Sequence, residues 1–365
     1  MIRKYVDKKA RFISFFNDKT GEYCRTGVID ENGKDTGIDP FMASFPQLID
    51  VGVMGHCVHG KTGLCIQSGV ECYQNGLGVQ KPNMSLENFK KIVDECSTNG
   101  CFQLALGGRG DVDQHENFEE ILSYCRQKGI VPNFTSSGLG FTPEIVEICK
   151  KYCGAIAISW YRSEYTTKSI QMLLDVGVTT NIHYVLGNNS IDEAIDKLKN
   201  NSFPKGINAV IFLMHKPVGL GTEKNVLSVT DPKVKEFFEL VDKVNSDGTI
   251  DFQIGFDSCS IPGIVNFTSK IDKNSIDTCE GGRYSMYISA DMIAIPCSFD
   301  NQELRWGFDI SNKTIQEAWD SQEFEDFRNH FKNSCSNCKQ RDICMGGCPI
   351  RRQIVLCDRN EKDLK

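Results

Sequence analysis

The sequence predicts an α/β fold built around a parallel sheet. Between residues 48 and 256, short apolar runs alternate with amphipathic stretches in six or seven successive units. Such alternation is typical of parallel strands joined by right-handed helical crossovers. The number of units indicates a partial or full β/α barrel. A doubly wound open sheet is the competing interpretation, and the periodicity alone favours neither.

Local signals define the individual elements. Residues 1–46 contain strand-like runs and tight turns, which predict a short N-terminal hairpin. Ser85 is expected to cap a helix that stops before Gly100, while Thr142 and Pro143 open another. The predicted strands are 48–54, 101–106, 130–135, 155–159, 179–186, 209–214 and 250–256, and the predicted helices are 85–99, 118–128, 142–152, 166–176, 190–200 and 232–245.

The alternation ends near residue 258. Segments 284–288 and 292–295 predict a hairpin, one amphipathic helix is expected over 314–330, and cysteines become frequent. A region with little regular core and many cysteines is normally held together by metal. The expected domains are therefore a hairpin at 1–46, a partial barrel at 47–257 and an irregular cysteine-rich domain at 258–365.

Composition excludes several classes of partner. The chain has 365 residues, of which 40% are hydrophobic and 24% are charged, as in ordinary globular proteins. Its net charge of -7 gives no reason to expect nucleic acid or an anionic membrane as partner. No run approaches the roughly 18 apolar residues of a membrane span. We therefore expect a cytoplasmic protein.

The 17 cysteines are the main anomaly. In a reducing compartment, clustered cysteines usually indicate metal binding or catalysis rather than disulfides. Eleven of them fall into an early trio, a later trio and a dense terminal run: Cys57, Cys65 and Cys72; Cys259, Cys279 and Cys297; and Cys335, Cys338, Cys344, Cys348 and Cys357. The spacing of the terminal run fits either zinc or an iron–sulfur cluster.

The early trio follows the first predicted barrel strand. Three cysteines on one loop suggest a cubane that is held through three irons and leaves the fourth open. A zinc site that includes His59, or three unrelated thiols, is the alternative. Small and polar residues also follow the next strands, at Gly107–Asp111, Ser136–Gly138 and Ser159–Tyr161. In a barrel these strand ends form the active site.

Several segments together resemble a known family. Residues 103–122 (QLALGGRGDVDQHENFEEIL), 132–140 (PNFTSSGLG) and 155–190 are similar to successive β/α units of radical S-adenosylmethionine (SAM) enzymes. Residues 287–300 (YISADMIAIPCSFD), 314–330 and 335–352 (CSNCKQRDICMGGCPIRR) follow the pattern of the C-terminal SPASM domain, including Trp319 in its helix. The implied fold is a partial (β/α)6 TIM-type barrel, with a short N-terminal hairpin and an irregular cysteine-rich C-terminal SPASM domain.

The resemblance implies three [4Fe–4S] clusters and bound SAM. The ligands would be Cys57, Cys65 and Cys72 for the SAM cluster; Cys259, Cys279, Cys297 and Cys348 for the first auxiliary cluster; and Cys335, Cys338, Cys344 and Cys357 for the second. The remaining six cysteines are interpreted as buried small hydrophobes: Cys24, Cys96, Cys101, Cys125, Cys149 and Cys153.

Two features depart from the family pattern. The first trio is usually CxxxCxxC, and here it is much longer. The usual Glu after the double glycine is Arg109, interpreted either as a surface residue or as a partner of the SAM carboxylate, and Asp111 is a candidate substitute that grips the SAM ammonium. The expected SAM-binding residues are Gly107, Gly108, Asp111, Ser137 and Ser159. Trp160, Tyr161, His183 and His215 are weaker candidates for substrate contact, for which core packing or exposure is the favoured interpretation.

The implied function is modification of a ribosomally made peptide. Reductive cleavage of SAM would give a 5′-deoxyadenosyl radical that abstracts hydrogen, leading to a thioether or carbon–carbon cross-link or to epimerisation. The implied partners are a peptide or protein substrate and a flavodoxin- or ferredoxin-type electron donor. Anaerobic sulfatase maturation is the enzymatic alternative, although Ser298 stands where such enzymes have Asp. An electron-transfer or zinc-stapled scaffold protein is the non-enzymatic one.

Overall fold

The N-terminal strands form a small sheet of their own. The computed structural model describes residues 1–272, 275–333, 335 and 337–358. Strands β1 (Ile2–Asp7), β2 (Phe12–Asn17) and β3 (Tyr23–Arg25) pair antiparallel in that order. The predicted hairpin is therefore extended by a third strand. Phe12 and Phe16 of β2 point inward and are fully buried, which explains why this short sheet packs against the rest of the chain.

Seven parallel strands form the barrel wall. In sequence they are β4 (Leu48–Val51), β5 (Gln103–Leu106), β6 (Val131–Ser136), β7 (Ile156–Ser159), β8 (Thr180–Leu186), β9 (Ala209–Met214) and β10 (Gln253–Phe256). Each strand pairs in parallel with the next one in the chain. A doubly wound sheet reverses its strand order once, whereas the order of these seven strands follows the sequence without a reversal. The α/β partial-barrel prediction is confirmed.

Helices lie between the strands at the predicted places. Two short helices, α1 (Val58–Thr62) and α2 (Leu64–Gln67), follow β4, and the crossovers contain α3 (Leu86–Thr98), α4 (Phe118–Gln127), α5 (Pro143–Tyr152), α6 (Glu164–Asp175), α7 (Ile191–Lys199) and α8 (Pro232–Asp247). Ser85 and Thr142 cap α3 and α5 as predicted, accepting bonds from the backbone N–H groups of Asn88 and Ile145.

The C-terminal region adds strands to the same sheet. After α9 (Ile261–Phe267), strand β11 (Ser285–Ile288) pairs in parallel with β4, and β12 (Ile293–Ile295) and β13 (Phe308–Asp309) continue it antiparallel. The predicted hairpin is present as β11 and β12. The barrel stays open between β10 and β11, which lie at opposite ends of the parallel part of the sheet. The domain limits proposed from the sequence remain predictions.

The single helix predicted over 314–330 is wrong. The segment forms α10 (Ile315–Trp319) and α11 (Gln322–Asn333), followed later by α12 (Arg341–Cys344). Thr314 and Glu317 form a capping box that starts α10. The Ser321 hydroxyl accepts a bond from the Phe324 N–H at 3.4 Å and so starts α11. Ser321 favours such local bonds over a continuous helix.

Buried polar side chains join the N-terminal and C-terminal segments. The Trp319 indole donates to the Ala43 carbonyl at 2.9 Å, and the Arg283 guanidinium donates to the Phe41 carbonyl at 2.6 Å. Both side chains are fully buried. Within the described residues, no helix combines the length and the apolar character needed to span a membrane.

Candidate active site

The early cysteines come together beyond the end of β4. Cys57 precedes α1, Cys65 lies in α2, and Cys72 lies in the loop that follows. Cys57 and Cys65 are buried. A Cβ atom on Gly76 would lie 3.5 Å from the Cys57 sulfur and 3.9 Å from the Cys72 sulfur. The two thiols thus share the space beside Gly76, where a larger residue would crowd them.

Three polar side chains pack beside this trio. Asp111 accepts bonds from the backbone N–H and the hydroxyl of Ser137, at 2.8 and 2.6 Å. The His59 Nε2 atom lies 2.5 Å from the Ser137 hydroxyl and 3.4 Å from the Asp111 carboxylate. Two predicted SAM-binding residues, Asp111 and Ser137, are therefore in direct contact, and His59 adds a third polar group that the sequence marked only as a zinc alternative.

This pocket contains polar atoms that lack a partner. Among the described residues, His59 Nδ1 and the Tyr165 hydroxyl are buried without a hydrogen bond. The His59 ring lies 5.7 Å from the Tyr161 ring and 5.9 Å from the Tyr165 ring. Buried polar groups are normally satisfied by protein or ligand. The pocket beside the trio thus has unused hydrogen-bonding capacity for a polar ligand.

In the double glycine Gly107–Gly108, the backbone of Gly108 lies close to another side chain. A Cβ on Gly108 would lie 2.7 Å from the Tyr287 hydroxyl, and Gly108 has φ +97°. A Cβ on Gly52, at the end of β4, would lie 2.1 Å from the same hydroxyl. The neighbouring Gly107 has room, since its nearest atom is 4.0 Å away. Tyr287 comes from β11, so the C-terminal region shapes this end of the barrel.

Arg109 secures the loop that carries the cysteines. Its guanidinium donates to the carbonyl oxygens of Val79 and Asn75, at 2.6 and 3.2 Å. The two roles expected from the sequence, a surface residue or a partner of the SAM carboxylate, remain predictions. The equivalent anchor at the other side is Glu71, which accepts bonds from the backbone N–H of Thr222 at 2.7 Å and from the Asn225 amide at 2.7 Å.

The first auxiliary group is assembled from four separate segments. Cys259, Cys279, Cys297 and Cys348 line one cavity together. A Cβ on Gly281 would lie 3.7 Å from the Cys279 sulfur and 3.7 Å from Cys297, so glycine leaves space between these two cysteines. Burial raises the pKa of Cys279 to about 11.

An ion pair lies beside this group. Lys216, whose side chain is 1% exposed, donates to Asp257 at 2.5 Å and to the Met214 carbonyl at 2.8 Å. Its ammonium also lies 4.1 Å from the Phe299 ring centroid. The lysine brings positive charge close to Cys259 and Cys348, which would be negatively charged as ligands. Lys216 could not be recognised from its sequence context, because it lies in a loop after β9.

The second auxiliary group surrounds a separate small cavity. Cys335, Cys338, Cys344 and Cys357 all line it, against α9 and Val355. Burial raises the pKa of Cys344 to about 11. Cys344 ends the short helix α12, and the next residue, Met345, has φ +47°, which turns the chain toward Cys348. The terminal cysteines thus line two different cavities, with Cys348 in the other one, and their roles as ligands remain predictions.

Five of the other six cysteines lie among the helices outside the sheet. Cys96, Cys101, Cys125 and Cys149 are at most 3% exposed, and Cys153 is half-buried. For these the prediction of small buried residues fits the structure. It is wrong for Cys24, which is exposed on β3. Among the described residues, no three or more His, Cys, Asp or Glu side chains are arranged around the position of a single metal ion.

The weaker candidates for substrate contact lie in different surroundings. Tyr161 contacts His59 and faces the early trio. Trp160 packs into the core and donates to Glu193 at 3.1 Å, and His215 lies 3.0 Å from the Thr222 carbonyl. Burial lowers the pKa of His183 to about 4, so it is neutral near pH 7. Ser159 ends β7 with no hydrogen bond to its hydroxyl in the described part of the chain.

A family model and solved structures match the chain. Residues 279–339 match the SPASM model, described as an iron–sulfur cluster-binding domain. This confirms the predicted SPASM domain over those residues. No curated protein sequence matches the chain.

Two solved proteins share its fold. Streptococcus suis SuiB bound to the precursor peptide SuiA has a TM-score of 0.70 and 14% identity, covering 98% of this chain and 98% of SuiB. SuiB bound to S-adenosylmethionine has a TM-score of 0.65 and 16% identity, covering 87% of this chain and 78% of SuiB. Native anSMEcpe with bound AdoMet, which is the same cofactor, has a TM-score of 0.60 and 15% identity, covering 88% of this chain and 93% of anSMEcpe. At such identities the likeness establishes the fold.

Proposed function

We propose that this protein is a radical SAM enzyme that modifies a ribosomally made peptide. The observation that carries the proposal is the early trio: beyond the end of β4, Cys57 and Cys72 share the space beside Gly76, Cys65 lies close enough to feel the charge of Cys72, and the Asp111–Ser137 pair is adjacent. This is the end at which barrel enzymes bind their substrates. The SPASM match and the fold shared with two proteins solved with SAM support the same function.

The residues present fit the implied groups. Each predicted cluster has its cysteines gathered in one place, with glycines leaving space at Gly76 and Gly281. Thiols buried in this way stay protonated unless a cation compensates the thiolate, and iron supplies that charge. The early trio would leave one iron open for SAM. When bound, these groups supply the one-electron cleavage of SAM that generates a carbon radical.

The chain's own residues bind and orient the ligand. Asp111 presents a carboxylate to the SAM ammonium, while Ser137 and His59 hold that carboxylate in place. His59 Nδ1 and the Tyr165 hydroxyl offer the remaining bonds to a polar ligand. Gly108 allows backbone atoms to approach closely. The carrier of the reducing electron would be a flavodoxin- or ferredoxin-type protein.

The open side of the barrel supplies room for a peptide. A cavity of about 990 Å³ lies between β10 and β11 and is lined by residues of β4, β10, β11 and the first auxiliary group. That volume is at the upper end of small-molecule pockets, and the cavity opens to the surface. The SuiB structure with its precursor peptide supports a peptide as the substrate class.

The arrangement around Cys297 does not favour sulfatase maturation. Ser298 follows this cysteine directly, and the nearby Asp300 carboxylate accepts bonds from the Trp306 N–H at 3.1 Å and Arg305 at 3.4 Å. Asp300 is 1% exposed and is held in the packing of the domain. It has no access to the cavity as a proton acceptor.

Anaerobic reconstitution tests the proposal. We expect about twelve irons per chain, from three four-iron clusters, and 5′-deoxyadenosine from SAM under reduction. Cys57→Ala should abolish 5′-deoxyadenosine formation and lose about four irons. Cys125→Ala, a buried thiol of α4 outside the three groups, serves as the matched control and should retain both. Zinc in place of iron, or unchanged SAM cleavage in Cys57→Ala, would contradict the proposal.

The substrate class needs its own experiment. A short peptide encoded beside the gene would be co-expressed with the wild type and with Cys57→Ala. A mass change that depends on Cys57 would support peptide modification. A mass change on a sulfatase, with none on the peptide, would support the alternative.

A further inference from the structure

Asp50 lies in the middle of β4 and faces the cavity. Its register neighbours are Ala105 on β5 and Tyr287 on β11. The two residues beside it in β4, Ile49 and Val51, are fully buried on the opposite face, against the helices. The small side chain of Ala105 leaves space in front of the carboxylate. Asp50 is thus a lining residue of the cavity that lies between β10 and β11.

The carboxylate of Asp50 has no partner within the described residues. No hydrogen bond reaches it, and its negative charge acts on the hydroxyls of Tyr73 and Tyr287. Burial raises the pKa of Tyr73 to about 12 and that of Tyr287 further, so both stay neutral at ordinary pH. Burial also raises the pKa of Asp50 itself to about 7.

The nearby cations are already engaged. Lys216 is paired at 2.5 Å with Asp257, which also lines the cavity. Arg25, near its outer rim, is paired with Asp39 at 2.9 Å and Asp277 at 2.7 Å. Arg109 donates to backbone carbonyls. Among the described residues, the other carboxylates that line the cavity each lie within 3.5 Å of one of these cations, and Asp50 does not; they are Asp257, Asp277 and Glu280. A desolvated carboxylate without a partner is unfavourable, and a ligand that brings a cation relieves that cost.

We propose that Asp50 anchors a cationic side chain, lysine or arginine, of the bound peptide. The cation would lie against the Asp50 carboxylate, beside the ring of Tyr287, which lines the same cavity. Aromatic faces attract cations, and the attraction strengthens when water is excluded. This inference rests on the proposed function, because it assigns a substrate feature to the same cavity.

Binding of small probes tests the inference without turnover. Wild-type protein with its clusters reconstituted and SAM present would be titrated with Nα-acetyl-lysine N-methylamide and Nα-acetyl-arginine N-methylamide. Nα-acetyl-norleucine N-methylamide is the neutral control of similar length. We expect at least one cationic probe to bind tenfold or more tightly than the norleucine probe, and the tighter of the two identifies the cation.

Two variants locate the effect. Asp50→Asn should remove the preference for the cationic probe, whereas Asp277→Asn at the rim should preserve it. Iron content and thermal unfolding show that each variant is loaded and folded. Equal binding of all probes, no binding of any, or a preference that survives in Asp50→Asn would overturn the inference. Failure of the proposed function appears separately, as absent 5′-deoxyadenosine formation.

Discussion

The contact between Gly52 and Tyr287 gives a quantitative test of the active-site end of the barrel. In Gly52→Ala the new Cβ would lie 2.1 Å from the Tyr287 hydroxyl oxygen and 2.9 Å from the ring carbon that carries it. Real side chains do not approach so closely, so the tyrosine or the strand must shift. Overpacking of this kind costs about 1–3 kcal/mol. We expect the free energy of unfolding of Gly52→Ala to fall by that amount.

Removing the Tyr287 hydroxyl should restore most of the stability that Gly52→Ala loses. In Tyr287→Phe the shortest remaining contact of the new Cβ is 2.9 Å, which a small shift relieves. The Tyr287 hydroxyl makes no hydrogen bond within the described part of the chain, so the single substitution should be nearly neutral. The double variant should therefore be more stable than the sum of the two single variants predicts, by about 1–2 kcal/mol.

The assay is urea unfolding of the four proteins under anaerobic conditions, followed by tryptophan fluorescence. Gly107→Ala is the matched control, since its nearest atom is 4.0 Å away and its φ is not positive. Replacing glycine at such a position is neutral or stabilises by about 0.4–1 kcal/mol. If Gly52→Ala costs as much in the Tyr287→Phe background as in the wild type, the placement of β11 against β4 is refuted.

Three further predictions concern packing and charge. Trp319→Phe should lower the free energy of unfolding by about 1–3 kcal/mol more than Trp306→Phe, since only Trp319 leaves a buried carbonyl, that of Ala43, unpaired; equal losses in urea unfolding would contradict this. Thr314→Ala should cost about 1 kcal/mol by loss of the α10 capping box, with unchanged stability as the contrary result. Burial raises the pKa of Asp50 to about 7, so ionisation of its carboxyl group is unfavourable in the folded state. The destabilising effect of Asp50 therefore grows as the pH rises from about 4 to 7. The free energy of unfolding of Asp50→Asn should therefore rise relative to that of the wild type by on the order of 2 kcal/mol between pH 5 and pH 8. A difference between the two proteins that does not change with pH would contradict this.

Local signals explain which elements could be predicted from the sequence. Ser85 and Thr142 cap their helices as expected, because a capping bond depends only on residues within one turn. The pairing of β11 with β4 had no such signal, because these strands are more than 200 residues apart and share no sequence pattern. For the same reason, the close packing of Tyr287 against Gly52 and Gly108 could not be predicted from the sequence.

The candidate site shows the same limit. Cysteines are recognisable by type and spacing. In the structure Cys57 and Cys72 share the space beside Gly76, and the eight expected auxiliary ligands line two cavities, four in each, although their roles as ligands remain predictions. Asp50 carries no such mark, because one acidic residue in an apolar strand is equally consistent with an exposed edge. The bonds from Arg109 to the carbonyls of Asn75 and Val79 could not be predicted, because a backbone carbonyl has no sequence signature.

The wide spacing of the early trio is explained by the two short helices. A continuous helix would carry Cys57 and Cys65 about 12 Å apart, at 1.5 Å per residue. Gly63, with φ +70°, ends α1 and starts α2 in a new direction, which folds Cys65 back toward the strand end. Cys72 then lies close enough to both other thiols for its charge to raise the pKa of each. A longer loop can thus present the same three sulfurs as a short motif, provided that a left-handed residue reverses it. Gly63→Ala should therefore reduce the iron bound by this trio and leave the iron of the two auxiliary groups unchanged; full occupancy in that variant would mean that the reversal does not depend on Gly63.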